Sequence, residues 1–382
     1  MHILLITRHY PPEISGGARR PSLYVDGLRK LGHRVTIVSP FRLDDPESIC
    51  VPNKAIEKGM AALNESAMGT KYTGFTTQLK AKIRMWLYWP DDNIKWVRDV
   101  IKCIKRENVR PDWIMTTSPP ESIHIAGQKL SQYISVPWVA ELRDTWLEEP
   151  HRAILSESII RKFVERRIAL NVLGVANAII CVSDAVMLEA RSYVEPGLPE
   201  CVIGHFSDTP PEPYKFDDTK LNLIHTGGFT LSDRRRKLAP LIKKLETYAD
   251  NRQNLVLHIA GPLSADEVAT IKSTTVSVEW HGLVSLSKAK AMQAGADALL
   301  LCTPQNSHAL PGKYAEYART GKPIFYIGGG NWLNLVDDQC NLIPLEQGFS
   351  QVTKGSMIAT PYGMTHIEAA KKLVKFLAKV KF

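Results

Sequence analysis

Short apolar runs alternate along this chain with longer segments whose apolar positions recur every three or four residues. In the first half the runs Ile3 to Thr7, Val35 to Ser39, Trp113 to Thr117, Trp138 to Leu142 and Ala178 to Val182 are strand-length. Helical candidates fill the gaps between them, which is the pattern of a parallel sheet covered by helices on both faces. From about Leu221 the rhythm starts again with L-N-L-I-H-T, L-V-L-H-I-A, V-S-V-E-W, A-L-L-L-C and P-I-F-Y-I, each followed by a loop and a helical stretch. The restart predicts two doubly wound α/β domains. Ser207 to Thr219, rich in Pro and Asp and poor in aliphatics, reads as the linker between residues 1–207 and 220–362. The last stretch, His366 to Phe382, spaces lysines among Ala, Leu, Val and Phe as a closing amphipathic helix does.

Composition narrows the class. The chain has 382 residues, 44% hydrophobic and 23% charged, which excludes a disordered or fibrous protein and suffices for two cores. The opening M-H-I-L-L-I-T-R has no charged region before its apolar run, so it reads as a first strand and not as a signal peptide. No apolar segment approaches the ~20 residues that span a bilayer, so any membrane contact is expected to be peripheral. The six cysteines are scattered without metal-ligand spacing and are read as reduced cytosolic thiols. Lys and Arg total 48 against 39 Asp and Glu, a net charge of +9. That balance favours anionic partners, whether sugar nucleotides, nucleic acid or an anionic membrane face.

Three loops carry candidate chemistry. The first strand runs into H-Y-P-P-E-I-S-G-G-A-R-R-P, where Gly16 and Gly17 allow a ligand to approach closely at the carboxyl end of a parallel strand. A glycine pair there is also compatible with a purely structural loop. The second half repeats the arrangement as I-H-T-G-G-F-T-L-S-D-R-R-R-K, with Gly227 and Gly228 before the cations Arg234 to Lys237. Cations opening a helix oppose its macrodipole, so either an anionic ligand or a solvated patch accounts for them. The third stretch is S-H-A-L-P-G-K-Y-A-E-Y-A-R-T-G-K-P-I, Ser307 to Ile324. Pro311 suits a first helical turn, Gly312 and Lys313 admit a phosphate, and Glu316 sits about one turn in, where a carboxylate can accept ribose hydroxyls. The plain alternative is a surface helix with a Lys–Glu pair.

Taken in order, these segments resemble family 4 of the retaining GT-B glycosyltransferases over nearly the whole chain. The opening P-P-E-I-S-G-G-A-R-R-P-S-L-Y-V-D-G-L-R-K-L-G-H-R-V-T-I-V looks like the start of that family. W-P-D-D-N-I-K-W, T-T-S-P-P-E-S-I-H-I-A-G and V-P-W-V-A-E-L-R-D-T-W are similar to the branch that builds bacterial cell-surface polysaccharides. A-N-A-I-I-C-V-S-D-A, L-H-I-A-G, V-E-W-H-G-L-V and P-G-K-Y-A-E-Y-A-R-T-G-K-P-I follow in the family's order.

The resemblance implies a GT-B fold, two Rossmann-like domains facing across a cleft, with acceptor mostly on the first, nucleotide sugar on the second, and residues 363–382 returning to the first. By position, Gly16 and Gly17 line the cleft against acceptor or donor phosphate, and with Gly228, Arg235, Lys237, Gly312 and Lys313 they make up the implied diphosphate site. Val284 falls beside the nucleobase, and Glu316 matches the second glutamate of the family's E-x7-E motif. Two positions depart from the pattern: His308, a candidate catalytic residue at the donor sugar, stands where that motif has its first glutamate, and Phe229 where many relatives have arginine. Arg143 and Asp144, in E-L-R-D-T-W, are candidates for contact with acceptor or donor sugar, or else a structural pair. The family uses no metal or other cofactor. The implied function is transfer from a nucleoside-diphosphate sugar to a lipid-linked saccharide at the cytoplasmic membrane face, the alternatives being a sugar-nucleotide epimerase or a non-catalytic binding protein.

Between Tyr72 and Arg106, the aromatics Phe75, Trp86, Tyr88, Trp89 and Trp96 are interleaved with Lys71, Lys80, Lys82, Arg84, Lys95, Arg98, Lys102, Lys105 and Arg106. Such a mixture suits an anionic lipid surface. It is also compatible with buried tryptophans and solvated lysines, or with single-stranded nucleic acid. In the setting of this family, peripheral membrane contact without nucleic acid is the expectation.

Overall fold

The computed structural model describes residues 1–13, 16–53, 87–147, 158–248, 254–305, 311–336, 342–350, 352 and 363–381. The chain divides into two compact units, Met1–Gly204 with His366–Phe382, and His205–Thr365.

In the first unit a seven-stranded sheet has the order β3-β2-β1-β4-β5-β6-β7. Its strands are β1 (His2–Thr7), β2 (Arg34–Ser39), β3 (Ser48–Cys50), β4 (Trp113–Ser118), β5 (Trp138–Leu142), β6 (Ala178–Cys181) and β7 (Glu200–Val202). All pairs are parallel. Burial on both faces explains why the central strands carry apolar runs with little alternation. Among the described residues the helices are α1 (Gly16–Lys30), α2 (Ile94–Glu107), α3 (Ile123–Ile134), α4 (Ile159–Leu173) and α5 (Asp184–Ala190). A final helix, α10 (His366–Leu377), packs on α1, where a Cβ on Gly27 would lie 2.6 Å from the His366 carbonyl oxygen.

The second unit holds a six-stranded parallel sheet in the order β11-β10-β9-β12-β13-β14. Its strands are β9 (Leu221–Thr226), β10 (Leu255–Ala260), β11 (Ser277–Trp280), β12 (Ala298–Cys302), β13 (Ile324–Ile327) and β14 (Leu342–Pro344). A short parallel pair, β8 (Phe206–Ser207) with β15 (Met364–Thr365), stands beside it. The helices are α6 (Leu238–Tyr248), α7 (Ala265–Ser273), α8 (Leu286–Gly295) and α9 (Gly312–Ala318). Two buried clusters fill the two faces: Leu223, Leu257 and Leu300 point to one, and Ile224, Leu299 and Leu301 to the other. The Pro-rich segment after Ser207 packs along α8, with the Tyr214 N–H donating to the Ala291 carbonyl at 2.8 Å and Lys290 paired with Asp208.

Both sheets reverse strand order between their first and fourth strands, at β1/β4 and at β9/β12. In open parallel sheets the crevice outside the carboxyl ends at such a reversal is where ligands bind. The glycine pairs follow β1 and β9, so each unit places its candidate loop at its own switch point.

Candidate functional site

In the second unit β9 ends at Thr226 and the chain turns at Gly227, whose φ of +107° is a conformation side-chain-bearing residues rarely adopt. The Lys313 ammonium donates to the Thr226 carbonyl and lies against Gly227, in the space a Cβ would take. Glycine is therefore required twice at this position, by backbone and by the lysine. Gly228 is buried, with Ser232 and Pro262 where its Cβ would be.

Behind this turn is a polar network. The Thr226 N–H donates to the Tyr317 hydroxyl at 3.1 Å, and Gln293 Nε2 donates to Thr226 Oγ1 at 2.8 Å and to Glu316 Oε2 at 3.3 Å. Glu316 is thereby oriented from α9 by a buried amide on α8. His225 is fully buried, stacks on Phe229 with centroids 4.3 Å apart, and places Nδ1 2.9 Å from the Leu300 carbonyl. Burial, reinforced by the charges of Lys313 and Arg236, pulls its pKa down to about 3. Phe229 thus belongs to the core.

The cation cluster splits. Arg235 is spent on Asp233, Nε to Oδ1 at 3.1 Å and a terminal nitrogen to Oδ2 at 2.8 Å, and its side chain is half exposed. That bidentate bond, followed by other contacts from the arginines, holds the Asp233 carboxyl at about 2. Arg236 instead acts electrostatically on His225, Cys302 and Tyr317, and its Nε is buried with no hydrogen-bond partner among the described residues. The inward cation is therefore Arg236, one residue after the one picked out by position, and Lys237 is exposed. Gly312 is exposed at the start of α9, and Val284 is partly buried against the core that contains Met292 and Tyr314. His308 lies outside the described residues.

In the first unit the Arg143 guanidinium is spent on main-chain carbonyls. It donates to Ser118 at 2.6 Å, Gly17 at 2.6 Å and Pro119 at 3.2 Å, tying the end of β5 to the end of β4 and the start of α1. Asp144, next in the chain, is half-buried. A Cβ on Gly17 would lie 3.1 Å from the His9 ring, whereas Gly16 faces open space. His9 Nδ1 stands 3.1 Å from both Glu13 carboxylate oxygens, and Arg8 donates to Glu13 at 2.7 Å. This Arg–Glu–His group at the β1 switch point has no sequence signal of its own, because only the fold of the loop after β1 brings Glu13 back to Arg8 and His9. Arg20, also in this unit, makes a buried pair with Glu141 at 2.9 Å and donates to the Gly204 and Ile203 carbonyls.

No family model matches the sequence, and no curated protein matches it. Solved structures do. The structure of Anabaena HepE in complex with UDP and glucose superposes with a TM-score of 0.61 at 15% identity, covering 99% of each chain. The chain has the GT-B fold. WaaG, a glycosyltransferase involved in lipopolysaccharide biosynthesis, gives 0.57 at 14% identity over 99% of this chain and 95% of that one. The lipopolysaccharide outer core galactosyltransferase WaaB gives 0.55 at 12% identity over 99% of both.

Proposed function

We propose that this GT-B protein is a retaining glycosyltransferase that takes a sugar from a nucleoside-diphosphate donor and passes it to a lipid-linked saccharide in cell-surface polysaccharide synthesis. The observation that carries the reading is the Lys313 ammonium held on the Thr226 carbonyl against the Gly227 turn, where the charges of Lys313 and Arg236 both act on the buried His225. Departure of a nucleoside diphosphate builds negative charge on phosphate oxygens, and cations fixed in advance stabilise it without reorganisation. Glu316, held by Gln293, accepts the ribose hydroxyls, and Val284 flanks the base. With the charge met by these side chains, the transfer itself needs no metal. Retention follows when the acceptor attacks the face the diphosphate leaves, and no protein nucleophile is involved. In the first unit His9, backed by Glu13, binds the acceptor hydroxyl, while Arg143 positions the loops around it.

HepE is described in complex with UDP, which makes UDP the first ligand to test. Isothermal titration with UDP, GDP, ADP and dTDP should find one diphosphate that binds wild-type protein. Arg236→Ala should weaken that binding at least tenfold, the scale of a charge-assisted contact of about 1.5–3 kcal/mol. Equal affinities in wild type and variant, or no binding by any diphosphate, would remove the donor-site assignment.

Peripheral contact with an anionic membrane face, at the cytoplasmic side, completes the reading. No helix among the described residues is long and apolar enough to cross a membrane. Its support is an exposed apolar group in the first unit. Ile159, Ile160 and Phe163 at the start of α4 are 89%, 69% and 59% exposed, and Leu87 is 66% exposed. Arg161 brings the two stretches together by donating to the Tyr88 and Pro90 carbonyls. Arg166 and Arg167 are exposed on the same helix, and Arg167 lies over the Phe163 ring at 5.3 Å.

A further inference from the structure

The second unit contains a group of side chains that the donor site does not use. His258 lies in the middle of β10, Glu279 is its register partner on the edge strand β11, and His281 follows that strand's end. One ligand atom from each, two imidazole nitrogens and a carboxylate oxygen, lies within 4.8 Å of the others. His258 Nδ1 is 3.1 Å from His281 Nε2 and 3.4 Å from Glu279 Oε2.

The hydrogen-bond network assigns the His258 tautomer. Asn222 Nδ2 faces three acceptors, the Asp217 carbonyl at 3.1 Å, the Lys220 carbonyl at 3.2 Å and Asp297 Oδ2 at 3.3 Å. Its amide oxygen therefore points the other way and accepts from His258 Nε2 at 3.0 Å. A neutral His258 thus carries its proton on Nε2 and a lone pair on Nδ1. Phe216 covers the ring with centroids 4.4 Å apart. The Nδ1 lone pair then faces a carboxylate oxygen, two acceptors with no proton between them. A hydrogen bond from His281 can satisfy Nδ1, but it leaves the Glu279 carboxylate to solvent alone although its oxygen stands 3.4 Å from that nitrogen. A cation held by all three resolves the arrangement.

We propose that His258, Glu279 and His281 form a site for a divalent zinc-class cation, with a water as the fourth ligand. Two imidazoles and one carboxylate are a zinc donor set, and bond lengths of about 2.0–2.2 Å give tetrahedral ligand edges of about 3.3–3.6 Å. The two separations from His258 Nδ1, 3.1 and 3.4 Å, require only small adjustment. The Asn222 contact on the far nitrogen is the outer partner that orients a ligating histidine, and Asp297 and two carbonyls in turn hold Asn222. The site lies one strand outward from β9 and two residues short of Ala260, the register partner of Thr226. Its action is to clamp the edge strand β11 and the loop through Gly282 to the central sheet.

The test uses full-length protein stripped with chelator, then titrated with Zn²⁺ alone, and with Co²⁺ as a spectroscopic substitute. Wild type should bind one equivalent of Zn²⁺ more than the double variant Glu279→Gln/His281→Gln, and should melt higher with Zn²⁺ than without. Co²⁺ should give visible bands of tetrahedral intensity that the double variant lacks. Glu279 is exposed and His281 half-buried at the surface, so the metal-free double variant should melt with metal-free wild type. His281→Ala alone should weaken Zn²⁺ binding at least tenfold. The proposal is overturned if wild type and double variant bind the same number of equivalents at the same affinity. Because the readout is metal binding alone, failure leaves the donor-site reading standing, and loss of diphosphate binding leaves the cation site standing.

Discussion

Arg235 and Arg236 adjoin in sequence and differ in environment. Arg235 closes on Asp233 in a bidentate bond, while Arg236 keeps a buried nitrogen unpartnered among the described residues and its charge acts on His225. Arg235→Ala should therefore change diphosphate affinity less than threefold, against at least tenfold for Arg236→Ala, in paired isothermal titrations. The reverse order would return the clamp to Arg235. Gly227→Ala tests the same turn from the backbone: strain at positive φ is worth about 1–3 kcal/mol, and the new methyl displaces Lys313. Its melting temperature and diphosphate affinity should both fall. The glycine pair, Lys313 and Glu316 stood out in the sequence because spacing marks them. Arg236, Gln293 and Tyr317 did not, because side-chain direction within four consecutive cations, and an amide arriving from another helix, are settled by tertiary packing.

Two buried imidazoles give each unit its own acid sensitivity. Burial pulls His124 in the first unit and His225 in the second to about 3, below the ordinary 6.5. Between those values the unfolded chain binds the proton and the folded one does not. Stability is therefore full above about 6.5 and is lost as pH falls towards 3, at up to about 1.4 kcal/mol per pH unit for each group. His124→Gln should flatten that fall for the first unit and His225→Gln for the second, read as urea midpoints across this range. Unchanged slopes would show that neither imidazole is held neutral.

At the scale of elements, the contact of α1 with α10 sets two rules against each other. Alanine is favoured over glycine inside a helix by about 1 kcal/mol, which argues for Gly27→Ala. The His366 carbonyl and Ala370 stand at 2.6 and 3.0 Å from the methyl such a change introduces. Overpacking of this kind costs about 1–3 kcal/mol, so Gly27→Ala should lower stability in denaturant melts and expose α10 to proteolysis. A gain in stability would mean that the helices separate without cost. The central strands of both sheets were legible because strands buried on both faces have little choice but apolar residues. The edges β3, β7 and β14 were not, since each has three residues and too short a run for any period to show. Gly27 was silent for a related reason: nothing in the helical pattern of α1 says which later helix will need its missing side chain.

Over the whole molecule, the net charge of +9 and the mixture of aromatics with cations suggest a lipid-facing surface, and the contact proposed on α4 is a second place to look for it. Phe75 and Trp86 lie outside the described residues. Trp96 is buried and donates to the Val51 carbonyl at 2.7 Å, and Trp89 lies beneath Arg161 at 3.7 Å. On α2 the apolar face enters the core and Lys95, Arg98, Lys102, Lys105 and Arg106 remain exposed. The most exposed of the large apolar side chains in the first unit include three on α4, which periodicity did not single out because its apolar residues do not fall on one face. Ile159, Ile160 and Phe163, with Leu87 nearby and Arg166 and Arg167 on the same helix, offer hydrocarbon and positive charge together. Each basic residue near an anionic surface contributes about 1 kcal/mol, and the charge contribution is screened by salt while the buried hydrocarbon is not. Wild-type protein should therefore sediment with phosphatidylglycerol-containing vesicles and far less with phosphatidylcholine alone. Ile160→Asp/Phe163→Asp should reduce sedimentation at least tenfold at every salt concentration, whereas Arg166→Gln/Arg167→Gln should reduce it at low salt and converge on wild type at high salt. Diphosphate affinity should be untouched in both. Equal sedimentation of all three proteins would move the membrane contact away from α4.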